Sequence, residues 1–320
     1  MSKHRELRMS SGIVFAMALV AVAQAQTPSL ADAANQPATQ TGMAAYLRAQ
    51  ILLDRALFSP GEIDGRAGSN QQRALQGYQR AKGLEVTDKL DTSTWAALNA
   101  GAPPVLVSYT ITAEDAGANY AKLPTDIVAQ AKLKALGFES VEEALGERFH
   151  ASPALLKELN PGADFGKAGT SLRVPNVADV AAAKAAKVVV DNSDSTLTLL
   201  DTTGKVVAQV PVSSGSDHDP LPIGEWKMVA TALNPTFHYN PKLFWDADPA
   251  HAKTVLASGP NNPVGTVWID LSKPHYGLHG TPHPETVGKS QSHGCVRMTN
   301  WDAQRVAAAV KAGTSVVMQE

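Results

Sequence analysis

The chain has 320 residues, 44% of them hydrophobic and 18% charged, with a formal net charge of −2. That composition supports packed cores and excludes general disorder, and the charge gives no basic footprint for nucleic acid or an anionic membrane. The single cysteine, Cys295, excludes an intramolecular disulfide and any cysteine-rich metal cluster. It stands as a small buried hydrophobe, an exposed liability or a nucleophile.

Lys3, Arg5 and Arg8 precede an unbroken small and apolar run from Gly12 to Ala23, and Ala23-Gln24-Ala25 has the small-x-small pattern of a cleavage site. This order predicts a secretory signal peptide over residues 1–25, cut after Ala25. The run is 12 residues long, against about 20 for a membrane span, so no stable membrane anchor is expected after cleavage. Residues 26–43 hold two prolines and no periodic apolar face, which predicts a flexible linker.

Residues 44–100 predict a small all-α unit of three helices. The first carries Tyr46, Ile51, Leu52, Leu53, Ala56 and Leu57 at helical spacing, and the second carries Ala74, Leu75, Tyr78 and Ala81. Gly83 falls where a C-cap belongs, and Asp91 or Thr92 caps a short helix with Trp95 and Leu98. Residues 107–176 read as strand, helices, strand, with a helical stretch from Leu145 to Leu159. An alanine-rich linker, Asn176 to Lys187, leads into residues 187–320, which are rich in short strands and predict a mostly-β, sandwich-like domain. A helix from Asn300 to Lys311, with Gly313 as its C′ residue, and a last strand complete it.

The chemistry concentrates between Tyr276 and Asp302. Cys295 lies two residues after His293 and 16 after His279. A free thiol with a pKa of about 8.5 is only a few per cent ionised at neutral pH, so cysteine catalysis needs a base to take the proton and return it to a leaving group. Both histidines are candidates. Gly294 lets backbone N–H groups approach a developing oxyanion, and Arg297 supplies a fixed charge to the thiolate or to a substrate carboxylate. His275, His279 and His283 are spaced by four, as zinc ligands on a helix would be, but Gly277, Gly280 and Pro282 oppose a helix and no acidic base accompanies them. Neither a metal nor another cofactor is therefore expected. In residues 234–248 the aromatics Phe237, Tyr239, Phe244 and Trp245 either pack over a sheet edge or form a lid on the site.

The ordered string His279-Gly280, then Ser292-His293-Gly294-Cys295-Val296-Arg297, resembles the signature of the L,D-transpeptidase family, and Pro222-x-Gly224 and Gly259-Pro260-x-Asn262-Pro263-Val264-Gly265 match its upstream pattern. The resemblance implies Cys295 as nucleophile, His279 as base and acid, and Gly280 as the carbonyl that orients the imidazole. It also implies Gly294 and Cys295 N–H groups in the oxyanion hole, with His293 and Ser292 shaping the loop. Arg297, Ser292, Tyr239 and Trp245 are the expected substrate contacts.

Residues 44–100 resemble the three-helix peptidoglycan-binding domain through Gly61, Ile63-Asp64-Gly65, Arg73-Ala74-Leu75, Gly83-Leu84 and Thr94-Trp95-Ala96, with Tyr78 where that family has phenylalanine. Residues 107–176 resemble a lysin motif through Tyr109-Thr110-Ile111, Leu159-Asn160-Pro161 and Gly169 to Pro175, interrupted by about 35 extra residues. These resemblances imply a periplasmic enzyme acting on peptidoglycan stem peptides and glycan. The acceptor is a second stem, forming a 3→3 cross-link, or a lipoprotein lysine. An L,D-carboxypeptidase on the same cysteine and a non-catalytic wall-binding protein are the alternatives. Carbapenems are expected to acylate the cysteine.

Overall fold

The computed structural model describes residues 28–37, 42–177 and 184–320. The expected signal peptide, residues 1–25, lies outside the described residues, as does the stretch 178–183 of the alanine-rich linker. Residues expected to be a flexible linker instead include a helix, α1 (Leu30–Asn35), with Ala31 and Ala34 buried. It is docked because the Asn35 amide mimics a backbone, donating to Leu106 O at 3.1 Å and accepting from Leu106 N at 2.9 Å.

Three helices follow as the spacing predicts: α2 (Met43–Arg55), α3 (Ser69–Lys82) and α4 (Thr92–Asn99). Asp91 caps α4 by accepting from the Thr94 N–H at 2.8 Å, and Gly83 ends α3 in the left-handed region at φ +67. Next come β1 (Leu106–Thr110), α5 (Ala113–Gly117), α6 (Ile127–Gln130), α7 (Val141–Arg148), α8 (Pro153–Leu159) and β2 (Ser171–Pro175), with β1 and β2 antiparallel. The expected helix from Leu145 to Leu159 is divided in two: Pro153 has no N–H to continue α7 and begins α8, capped by Ser152. These two units are not separate beads. Leu47, Ile51 and Tyr78 of the first share one buried cluster with Leu106, Leu145, Leu156 and Leu172 of the second.

The remainder contains β3 (Lys187–Asp191), β4 (Thr196–Leu200), β5 (Val206–Pro211), β6 (Ser213–Ser214), β7 (Gly224–Leu233), β8 (Phe237–Tyr239), β9 (Thr254–Leu256), β10 (Val267–Leu271), β11 (Gly277–His279), β12 (Val296–Arg297), α9 (Asn300–Ala309) and β13 (Ser315–Gln319). Among the described residues, nine of these strands form one sheet in the order β5-β4-β3-β13-β7-β10-β11-β12-β6. The long β7 pairs with β13 through its first half and with β10 through its second, joining two leaves. Strands β5 and β6 stand at opposite ends of that order with only Val212 between them in sequence, so the sheet curls back on itself. Valines and leucines of both leaves share one core with Ala303, Val306 and Ala309 of α9. Helix α9 ends at Ala309 with extended Val310 as its cap, so Gly313 (φ +84) belongs to the following turn and is not the C′ residue expected.

A buried polar junction locks the three units together. Asp54 of α2, completely buried, receives two hydrogen bonds from Arg305 of α9 at 2.7 and 2.9 Å and lies 3.2 Å from His150 Nδ1, between α7 and α8. His150 stacks on Trp301 at 5.0 Å, and Ser59 donates to Asp302 at 2.8 Å. Backbone bonds continue the seam, from Ser59 N to Gln209 O at 2.8 Å and from Ile63 N to His150 O at 2.8 Å. Burial opposes ionisation of Asp54, but the adjoining Arg305 and His150 overcome it and hold the carboxyl below the usual carboxylate range.

Asp54→Ala would leave the Arg305 guanidinium buried without this partner, and the expected loss is about 3–5 kcal/mol of folding stability. Thermal unfolding of the variant checks this; an unchanged midpoint contradicts it. In the parent protein the folded carboxyl lies below its unfolded value of about 3.9, so its contribution is complete above that pH and fades as pH falls through it toward the folded value.

Candidate active site

Two short parallel strands place the chemistry. Strand β11 pairs with β12 so that Leu278 faces Val296 and His279 faces Arg297. Leu278 and Val296 enter the core, and alternation turns His279 and Arg297 to the opposite face. Cys295 immediately precedes β12, and its thiol lies by the His275 carbonyl and the Gly277 N–H at the start of β11. Two glycines make the approach feasible. A Cβ on Gly277 would lie 2.5 Å from the Trp268 ring, and one on Gly294, at φ +92, would lie 2.8 Å from the Tyr276 ring.

His279 is buried, with 8% of its surface exposed. Its Nδ1 donates to the Gly280 carbonyl at 2.6 Å, which leaves Nε2 with its lone pair, and Trp268 stacks on the ring at 5.6 Å. Burial pushes the imidazole down to about 4, with Arg297 adding to the effect and the Gly280 bond partly offsetting it. His279 is therefore neutral at physiological pH and able to accept a proton.

Cys295 is half-buried and its Sγ donates to the His275 carbonyl at 3.8 Å. His275 has φ +69, so a left-handed turn aims that carbonyl. Burial pushes the thiol up to about 11; the Gly277 N–H favours the thiolate, and the Asp219 carboxylate opposes it. The expectation that Arg297 stabilises the thiolate fails here. Its guanidinium is engaged with the loop, donating to Ser290 Oγ at 2.9 Å and Gln291 O at 2.7 Å, while its Nε is buried without a partner. Ser292 acts on the same loop, donating to the Cys295 carbonyl at 2.6 Å and accepting from Gly215 N at 2.9 Å. At rest, burial thus favours a neutral thiol at Cys295 and a neutral imidazole at His279.

His293, the rival base, is committed elsewhere. Its Nε2 lies 2.8 Å from Asp246 Oδ1, and its ring packs edge-on against Phe244 at 5.1 Å and near Trp245 at 6.0 Å. Those partners belong to residues 237–256, a hairpin of β8 and β9 around a short 3-10 turn, Pro241–Leu243. Tyr239, expected to meet substrate, is instead 6% exposed, packed under this hairpin with its hydroxyl 3.3 Å from His251 Nδ1. Trp245 is 59% exposed and stacks on His218 at 4.3 Å, so it remains free to meet a ligand. His275, His279 and His283 occupy a turn, a strand and the cap of a 3-10 turn, so they share no helix face.

Asn300 is a positioning residue that pattern reading missed. It is 1% exposed, accepts from Thr266 N at 3.0 Å and donates to Pro260 O at 3.2 Å. A Cβ on Gly265 or Gly280 would fall 1.9 or 2.2 Å from its Oδ1. Both glycines are therefore bare because this amide passes beneath them, and Gly280 is the residue whose carbonyl accepts from His279 Nδ1. The signal was present as two glycines in the matched motifs without a reason for either.

Residues 185–318 match a family model described as "L,D-transpeptidase catalytic domain", and residues 44–98 one described as "Putative peptidoglycan binding domain". Over 171 residues the chain is 30% identical to "Putative L,D-transpeptidase YkuD" of Bacillus subtilis, covering 53% of this chain and 88% of that protein. It is 27% identical to "Probable L,D-transpeptidase YbiS" of Escherichia coli over 50% of this chain and 54% of that one. Among solved structures, an L,D-transpeptidase from Mycobacterium smegmatis is similar at 18% identity and a TM-score of 0.34, covering 49% of this chain and 76% of that chain.

With the thiol pushed up to about 11, alkylation of Cys295 by an uncharged reagent should rise about tenfold per pH unit from pH 7 to 10. A plateau below pH 8 would mean a thiolate already formed at rest.

Proposed function

The chain belongs to the L,D-transpeptidase family, and from that premise we propose that it is an exported, cysteine-dependent L,D-transpeptidase acting in the periplasm on peptidoglycan tetrapeptide stems. The location rests on the basic and apolar order of residues 1–25. What supports the chemistry is one observation: β11, which carries His279, pairs in parallel with β12, the strand that directly follows Cys295, and the His279 Nδ1 proton is already committed to Gly280.

The steps follow from those protonation states. As Sγ attacks the carbonyl at the L-centre of the stem, its proton passes to His279 Nε2, so the ion pair forms with the attack and not before it. The carbonyl oxygen becomes an oxyanion facing backbone N–H groups at Gly294 and Cys295, worth roughly 3–4 kcal/mol of barrier. Collapse breaks the amide bond, the imidazolium protonates the departing D-alanine amine, and a thioester to Sγ remains. An acceptor amine then attacks the thioester, gives its proton to Nε2, and releases the sulfur, which regains the proton. Arg297 holds the loop through Ser290 and Gln291 and adds a positive charge for an anionic substrate group, and Trp245 offers a stacking face.

The acceptor is a diamino acid of another stem, giving a 3→3 cross-link, or a lipoprotein lysine. Residues 44–100 are the peptidoglycan-binding unit, and residues 107–176 form a lysin-motif-like module that presents glycan to the catalytic domain, residues 187–320.

Wall fragments incubated with the purified protein should yield cross-linked dimers by mass spectrometry. Cys295→Ala should give none, and His279→Gln should reduce the rate by about 10²–10⁴-fold. Shortened stems without dimers would indicate a carboxypeptidase, and unchanged stems would refute both enzyme readings.

A further inference from the structure

We propose that residues 118–140, the stretch between α5 and α7, are the support of the hairpin 237–256 and so set how that hairpin closes over Cys295. This stretch extends from its own unit and packs on residues 237–261. Leu136, completely buried, forms a cluster with Tyr239 and Leu256, and Leu123, Ile127 and Leu133 pack against the same group, as do Phe237 and Phe244. Backbone bonds fix the register of this contact, from Leu136 N to Ser258 O and from Asn261 N to Leu136 O, both at 3.0 Å. The Asn261 amide adds bonds to Gly137 O at 3.0 Å and to Glu143 Oε1 at 2.7 Å. The approach is close enough that a Cβ on Gly259 would lie 2.1 Å from the Leu136 carbonyl oxygen. Asp126 reaches His251 of the hairpin at 3.4 Å.

The hairpin in turn grips the nucleophile loop. Phe244 meets the Leu136 cluster with one part of its ring surface and His293 with another, and Asp246 holds His293 Nε2 at 2.8 Å. His293 is two residues from Cys295. A packed path therefore runs from Leu136 through Phe244 to His293. The middle module thereby braces the hairpin that holds His293. Leu136 and Ile127 are positioning residues in this scheme. Resting on the transpeptidase reading above, the consequence is that a well-supported hairpin excludes water while the thioester waits, favouring an amine acceptor over hydrolysis.

The test uses the full chain with Leu136→Ala and, as a milder change at a half-buried position, Ile127→Ser. Val128→Ser, at an exposed neighbour outside the cluster, is the control. Three readouts are taken: hydrogen exchange of residues 237–256 against that of β3 and β4, alkylation rate of Cys295, and the ratio of cross-linked to shortened stems. Both test variants should speed exchange in the hairpin but not in β3 and β4, raise alkylation about five-fold and lower the product ratio by a similar factor, with the control unchanged. Should Leu136→Ala also loosen β3 and β4, Ile127→Ser decides. Hairpin exchange unmoved in Ile127→Ser, or moved without any change in alkylation, overturns the proposal. If the parent makes neither product the transpeptidase reading fails, and exchange with alkylation still decide this one.

Discussion

The carboxylate of Asp54 has no access to solvent and is shared by Arg305 and His150, so one acidic group from the first unit binds a residue from each of the other two. Burying such a charge is unfavourable unless its partners are held in place, and only the assembled chain holds them. The constraint passes directly to the site. Arg305 lies on α9, the same helix starts at Asn300, and Asn300 fills the space beneath Gly265 and Gly280. The Gly280 carbonyl fixes the tautomer of His279. The orientation of the His279 imidazole and the docking of the three units thus meet on one ten-residue helix.

That rigidity suits a site whose two reacting groups are both neutral at rest. With the imidazole pushed down to about 4 and the thiol up to about 11, no standing thiolate is available for side reactions. In the proposed mechanism, proton transfer accompanies attack on a substrate that brings its carbonyl to the backbone N–H groups at Gly294 and Cys295. Such a mechanism depends on placement more than on a preformed charge, which is consistent with how many contacts hold the loop. Ser292, Arg297 and Gly215 bind it from within the catalytic domain. Asn70 and Arg73 of α3 bind its approach from the first unit, at Val287 O (2.8 Å) and Gly288 O (3.2 Å).

Much of this was legible in the sequence where local rules decide. The caps at Asp91 and Gly83, the three helices they bound, and the strands around Val188, Leu197 and Val316 follow from side-chain period and capping chemistry. The Ser292-to-Arg297 string marked the candidate site by its resemblance to the L,D-transpeptidase signature, since a cysteine near histidines alone is more often structural. The rest depended on distant partners. Helix α1 exists because Asn35 finds Leu106, 71 residues away. Strands β8 and β9 are three residues each, too short for alternation to register. Tyr239 looked available in a polar loop and is buried by Leu136, which no pattern within residues 234–248 contains. His293 was nearer to Cys295 along the chain, but Asp246 claims it.

The central claim is that Cys295 carries the stem as a covalent intermediate. Its most direct test is intact-mass and peptide mapping of the protein mixed with a tetrapeptide stem and quenched in acid. The account predicts a tripeptide acyl group on Cys295, equal in mass to the stem less D-alanine, labile to hydroxylamine and absent from Cys295→Ala. Release of D-alanine with Cys295 unmodified at every time point, and the same release from Cys295→Ala, would contradict it.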